Sequence, residues 1–318
     1  MRFHKKIQLI EYIFIISNYR MSLDQSIENK KMIQSTLLEF LEEEANNEEN
    51  YENFVKKITD QKINENQHEF KLFLQLINII GNNHQRTCNF FTKIEQILKQ
   101  FKEDIQKHFT NIQIFQLFES NKRILLFLID EKIITIDEYI VSVIAGDKYL
   151  EMKYMDYFSP EIKLFLIEKF AKKHLKQLLR LKRNDIIEKI KKEYADDFNE
   201  KRREGENDDY LCELIRLNDL KNFVSFVEKT NLSLQSYIQE SIFETNPLLL
   251  KKKNINLIEY AAFFGSNEII KYMQLNGVAI TSRMMEFAIH SHNLELIKYL
   301  DEISSQRNEY EIALKESI

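Results

Sequence analysis

Helix-breaking residues are scarce in this chain: five glycines and two prolines in 318 residues, against an average usage of roughly 7% and 5%. With so few breakers and so many Leu, Ile, Lys and Glu, long runs of helix are favoured. Cysteine is nearly absent as well. Cys88 and Cys212 are the only two, too few for a disulfide framework, which points to a reducing compartment, the cytoplasm. Common catalytic signatures are missing. Neither G-x-x-x-x-G-K-[ST] nor G-x-G-x-x-G occurs to cradle a phosphate, and there is no G-x-S-x-G elbow and no H-E-x-x-H pair. Carboxylates abound, yet no pair is set apart as acid and base. His84 and Cys88 fall at i and i+4, and His290 is close to His292, but neither pair has the four-ligand spacing of structural zinc. The chain reads as non-catalytic, with no cofactor and no metal.

Long hydrophobic runs are missing too. No stretch reaches the roughly 20 apolar residues that span a bilayer. Met1 to Lys6 is basic and Ile7 to Ile16 largely apolar, the outline of a secretory signal. Glu11 interrupts that run and no small-residue cleavage site follows. An amphipathic helix, or a start at Met21, is the alternative reading. A net charge of −5 with 30% charged residues describes a solvated surface without bulk attraction for nucleic acid. The 44% apolar share suffices for a continuous core. Length alone suggests about two domains, although a repeat array can use it all as one elongated body.

Ile258 to Thr281 is the most informative stretch. A short helix carrying Ala261 and Ala262 ends at Gly265, a second helix follows, and Gly277 closes the unit. Alanine is the best helix former and lets helices approach closely; glycine supplies the left-handed residue that ends them. Ile269, Ile270 and Met273 make an apolar stripe that reads as core. One such unit cannot bury its stripe alone, so it needs neighbours. Glu286 to Leu300 repeats the pattern 27 residues on, with His292 in place of the turn glycine. Leu214 to Val227 gives the same two-helix outline with Asp219 at the turn. Ser120 to Thr135 matches Ser266 to Thr281 in length and ends in the same Ile-Thr pair. Ile124 to Ile129, apolar all round, predicts a buried helix turn.

This layout resembles an ankyrin repeat, with Asn256-Leu257-Ile258-Glu259-Tyr260-Ala261-Ala262 in place of the usual T-P-L-H-x-A-A. From about residue 36 the chain also looks like a large ankyrin-related family, expanded in trichomonad protists and known only as a domain of unknown function. The runs carrying that likeness are Asn82 to Arg86, Ser120 to Ile129, Gly205 to Asp208, Ser241 to Asn246 and Leu257 to Ser266. The resemblance implies an all-α, degenerate ankyrin-like helical-pair solenoid. It implies a protein-binding module or scaffold with a preorganised concave face, whose partner is a protein of unknown identity. Ankyrin-like arrays touch partners through the residues that end each first helix. Carried over, these are Leu217, Asn218, Phe263, Phe264, His290 and Ser291, with a finger from Val278 to Arg283 beside them.

Residues 1–35 form a weakly determined lead-in and 36–110 a helical N-terminal region. Residues 111–200 hold the first ankyrin-like unit and a charged helical connector, 205–303 the ankyrin-like block, and 304–318 a tail with the outline of a truncated repeat. Lys201 to Asp209, the most polar stretch, reads as a loop or hinge. Glu39, Glu42, Glu43, Glu44, Glu48, Glu49 and Glu52 make an acidic patch that reads as a solvated face. The alternative function rests on Lys172 to Lys192, a basic amphipathic helix able to meet anionic membrane or nucleic acid peripherally.

Overall fold

The computed structural model describes residues 23–43, 47–83, 89–146, 153–170 and 195–303. Those residues are helical and contain no strand; one antiparallel bridge joins Tyr237 and Asn256. The first half holds α1 (Leu23–Glu42), α2 (Glu48–Asp60), α3 (Gln67–Asn83), α4 (Phe90–Gln100) and α5 (Lys102–His108). It continues with α6 (Asn111–Phe118), α7 (Lys122–Asp130), α8 (Glu138–Ile144), α9 (Tyr154–Tyr157) and α10 (Ser159–Phe170). The second half begins with α11 (Phe198–Glu204), α12 (Tyr210–Arg216), α13 (Leu220–Thr230) and α14 (Pro247–Lys251). It ends with α15 (Leu257–Phe264), α16 (Asn267–Leu275), α17 (Met284–His290) and α18 (Leu294–Ile303).

The helices stack in rows. In the first half α1, α3, α6 and α8 pack in succession, and behind them α4 and α7 form a second row that α11, from the second half, extends. In the second half α12, α15 and α17 make one row, and α13 packs on α16. Local chemistry sets the units. Thr110 starts α6 with a capping box to Gln113, and Asn256 starts α15 with the same reciprocal pair to Glu259, each pair satisfying two otherwise orphaned N–H groups. The two units that matched in length therefore also start alike.

One contact recurs between successive units. At three second helices the residue at the N-terminus donates to a carbonyl near the end of the preceding unit's first helix. Asn121, which caps α7, reaches the Gly81 carbonyl at 3.4 Å and Asn82 Oδ1 at 2.8 Å. Ser266, which caps α16, donates to the Ile215 carbonyl. Asn293, just ahead of α18, reaches the Gly265 carbonyl at 3.3 Å and Asn267 Oδ1 at 3.1 Å. Gly265 sits at φ +69°, and an added Cβ would lie 3.2 Å from both Asn293 Nδ2 and Ser291 Cβ. Both its backbone and its neighbours require glycine.

Two apolar cores result, one spanning Ile33 to Leu166 and one Leu211 to Leu300. As expected, Ile124, Leu125, Leu126 and Leu128 are buried, as are Ile269, Ile270 and Met273. Polar side chains join the halves. Lys122 is fully buried, its Nζ 3.0 Å from the Ile242 carbonyl and 4.9 Å from the Tyr157 ring centre. Arg123 donates to the Glu204 carbonyl at 2.7 Å, and Asn246 to the Asn82 carbonyl at 3.0 Å. Within the second half, Thr245 Oγ1 donates to the Gly205 carbonyl at 2.7 Å.

Lys201 to Asp209 is correspondingly no open hinge. Its start lies in α11, and Arg202 and Asn207 are buried. The Arg202 guanidinium makes a two-pronged pair with Glu161 at 2.7 and 2.8 Å, and donates to the Tyr157 carbonyl at 2.8 Å. The fork geometry of arginine suits this arrangement. Here a polar composition marks an interior joint built on the Arg202–Glu161 pair.

Candidate functional site

The six residues expected to line an open face have different fates. Leu217 is 67% exposed, directly after α12. Asn218 takes a left-handed conformation, φ +50°, and its Oδ1 accepts from the Ile269 N–H at 3.4 Å. Phe263, His290 and Ser291 are buried, and Phe264 is half-buried. Phe263 packs edge-on to Phe264 at 4.9 Å and stacks on His290 at 5.4 Å; Phe264 also meets Tyr260 at 4.9 Å. Phe263, Phe264 and His290 therefore form one aromatic cluster, to which Leu217 and Asn218 do not belong. Ser291 Oγ is satisfied internally by the Ala288 carbonyl at 2.7 Å. His290 also hydrogen-bonds the backbone of Asn83, at the end of α3. Burial, then the nearby His292, hold its imidazole down at about 4. Phe263, His290 and Ser291 thus offer a partner no surface in this fold.

The Val278 to Arg283 finger is tied back. Glu259, itself buried, accepts from Thr281 Oγ1 at 2.8 Å and from Arg283 Nε at 3.1 Å. Nearby, Cys212 is buried and its thiol is pushed up to about 12, by burial first and Asp209 next. A protonated, buried thiol is a poor nucleophile.

Several other expectations fall outside the described residues. These are Lys172 to Lys192, His84 with Cys88, and the tail 304–318. Of the acidic patch, Glu39, Glu42, Glu43, Glu48, Glu49 and Glu52 are all exposed. Among the described residues, no cluster of three or more His, Cys, Asp or Glu could hold a metal ion, and no helix is long and apolar enough to cross a membrane.

An open concave surface lies in the first half. A groove of about 940 Å³ runs along α3 between α1 and α6. Leu72, Leu76, Ile79 and Leu117 give it an apolar floor, with Phe109 at one side. Gln67, Gln75, Asn78, Gln113 and Gln116 supply amides. Lys30, His68 and Lys71 supply bases, and among the described residues no carboxylate lines it. Helical geometry produces this surface. Phe70, Phe73, Leu74 and Ile77 turn one face of α3 into the core, so His68, Lys71, Leu72, Gln75 and Ile79, at spacings of three and four, share the opposite face.

Sequence reasoning missed this groove. One signal for it was present: Leu117 ends α6 as Phe263 ends α15, at the same place in two units of equal length. The position designated for partner contact is buried in one unit and lines an open groove in the other. Compared with known proteins, the chain matches no family model, no curated protein and no solved structure.

Proposed function

We propose that this chain is a non-catalytic protein-binding module or scaffold of the cytoplasm, a degenerate ankyrin-like array that presents the α1–α3–α6 groove to a protein partner. The groove carries this reading. It is concave, combines an apolar floor with convergent polar groups, and is walled by helices anchored in a continuous core. Such a site loses little conformational entropy on docking. The ankyrin-like arrangement is supported by the row-wise stacking of first helices and by the bond that recurs from three second-helix starts to the preceding unit.

Affinity capture from native cytosol, with the intact chain and a Leu72→Asp/Leu117→Asp variant, tests this. Both leucines are half-buried on the groove floor, so the charges block docking while the helices persist. Partners retained by the wild type and lost by the variant, at unchanged helical circular dichroism, support the reading. Partners held equally by both overturn it.

A further inference from the structure

Resting on that reading, we infer that the groove takes an extended, acidic peptide segment of the partner protein, laid along α3. Three properties of the lining lead there. The first is charge. Among the described residues, Lys30, His68 and Lys71 line the groove and no Asp or Glu does, although the chain as a whole carries an excess of acids. Lys71 is exposed and makes no ion pair among the described residues. A basic strip on an acidic molecule steers and registers an acidic ligand.

The second property is the row of amides. A primary amide offers two N–H donors and a carbonyl acceptor. Gln67 uses one N–H on the His108 carbonyl at 2.7 Å, and Gln116 one on the Tyr139 hydroxyl at 3.3 Å. Those bonds orient Gln67 and Gln116 while leaving each a further N–H and its carbonyl; Gln113 offers its N–H groups, its carbonyl being taken by Thr110. Groups that both donate and accept match an extended backbone, whose N–H and C=O groups need partners. A helical ligand satisfies its own backbone internally and has no use for them.

The third is shape. From Gln67 to Ile79 the lining follows about three turns of α3, roughly 18 Å at 1.5 Å per residue, which matches about five or six extended residues at 3.3 Å each. The floor of Leu72, Leu76, Ile79 and Leu117 is aliphatic, and the one aromatic, Phe109, is itself buried. Single-stranded nucleic acid, the other flexible polyanion, wants exposed aromatic platforms for its bases. The ligand is therefore a peptide in which acidic residues alternate with aliphatic ones.

Fluorescence anisotropy of the full chain with short labelled peptides tests this. The probes alternate Leu with Glu, with Gln, or with Lys, and a short single-stranded oligonucleotide serves as competitor. The Glu peptide is expected to bind about tenfold or more tighter than the Gln peptide, the Lys peptide not at all, and moderate salt to weaken binding. Lys71→Glu should reverse the preference, Lys71→Arg should keep it, and Leu72→Asp should abolish binding. Because Lys71 is exposed, the two Lys71 changes leave folding intact, and helical circular dichroism checks Leu72→Asp. Equal binding of the Glu and Gln peptides, both lost in Leu72→Asp, overturns the acidic preference and leaves the groove as the interface. Acidic binding indifferent to Lys71→Glu, or displacement chiefly by the oligonucleotide, also overturns the inference. No binding of any probe overturns this inference alone, and the interface reading then stands or falls on the capture experiment.

Discussion

His290 lies stacked on Phe263, ring centres 5.4 Å apart and planes inclined by 24°. The contact places a titratable group inside the fold. Burial lowers the imidazole from 6.5 to about 4, so between those values the unfolded chain binds a proton that the folded chain refuses. Stability is then fully present above about pH 6.5 and falls as pH drops toward 4. At roughly 1.4 kcal/mol per unit, the loss from this group approaches about 3 kcal/mol. His290→Phe keeps an aromatic ring on Phe263 and removes the proton site. Its thermal midpoint should fall less than the wild type's over this pH range; parallel profiles would show that His290 is not the linked group.

Burial also separates the side chains that once looked equivalent as partner contacts. Phe263→Ala should cost about 3–5 kcal/mol, as for truncation of a buried phenylalanine. Leu217→Ala, at a site 67% exposed, should stay within about 0.5 kcal/mol. Urea unfolding of both variants measures this. Similar costs would mean that Leu217 is covered in solution.

Gly265 and Gly277 both adopt positive φ, at +69° and +83°, but only the first is crowded. Alanine at Gly277 would meet nothing within 4 Å and should cost about 1 kcal/mol, the backbone term alone. At Gly265 the new methyl also presses on Asn293 and Ser291, so Gly265→Ala should be the more damaging by thermal melting. Equal midpoints for the two variants would argue that the contact with Asn293 carries no stability.

Arg202 and Glu161 are expected to behave as a unit. Removing one partner leaves a buried charge, so Glu161→Gln should destabilise by about 3–5 kcal/mol. Replacing both, as Arg202→Met with Glu161→Leu, should recover much of that. A double-mutant cycle read by denaturant unfolding decides it, and additive losses would mean that the two side chains act separately.

The helical character of the chain was legible because its causes are local. Scarce glycine and proline, apolar stripes at three and four, and caps such as Asn256 with Glu259 each act within a few positions. What covers a helix face is not local. His290 is closed over with help from Asn83, more than 200 positions earlier, and Arg202 owes its burial to Glu161, 41 positions away. The polar stretch around Arg202 read as loop for that reason. The groove was illegible in the same way, since Lys30, Lys71 and Gln116 come from three helices that only the stacking brings together. Several runs that carried the family resemblance, around Asn82, Lys122, Gly205 and Thr245, meet at the joint between the two cores. Motifs of that kind describe how the body is held together.

Three units meet their predecessor through a main-chain oxygen, Asn121 through Gly81, Ser266 through Ile215 and Asn293 through Gly265, with the side-chain oxygens of Asn82 and Asn267 adding to the first and last. A carbonyl is the same whichever side chain it belongs to. Register between units is thus kept by a polar cap and a close-packed turn, and mutational drift elsewhere on the helices leaves it untouched. Duplicating a unit, or letting its outer face diverge, requires no matching change next door. One turn of this chain can bury a phenylalanine where its counterpart lines an open groove, and the stacking persists through both.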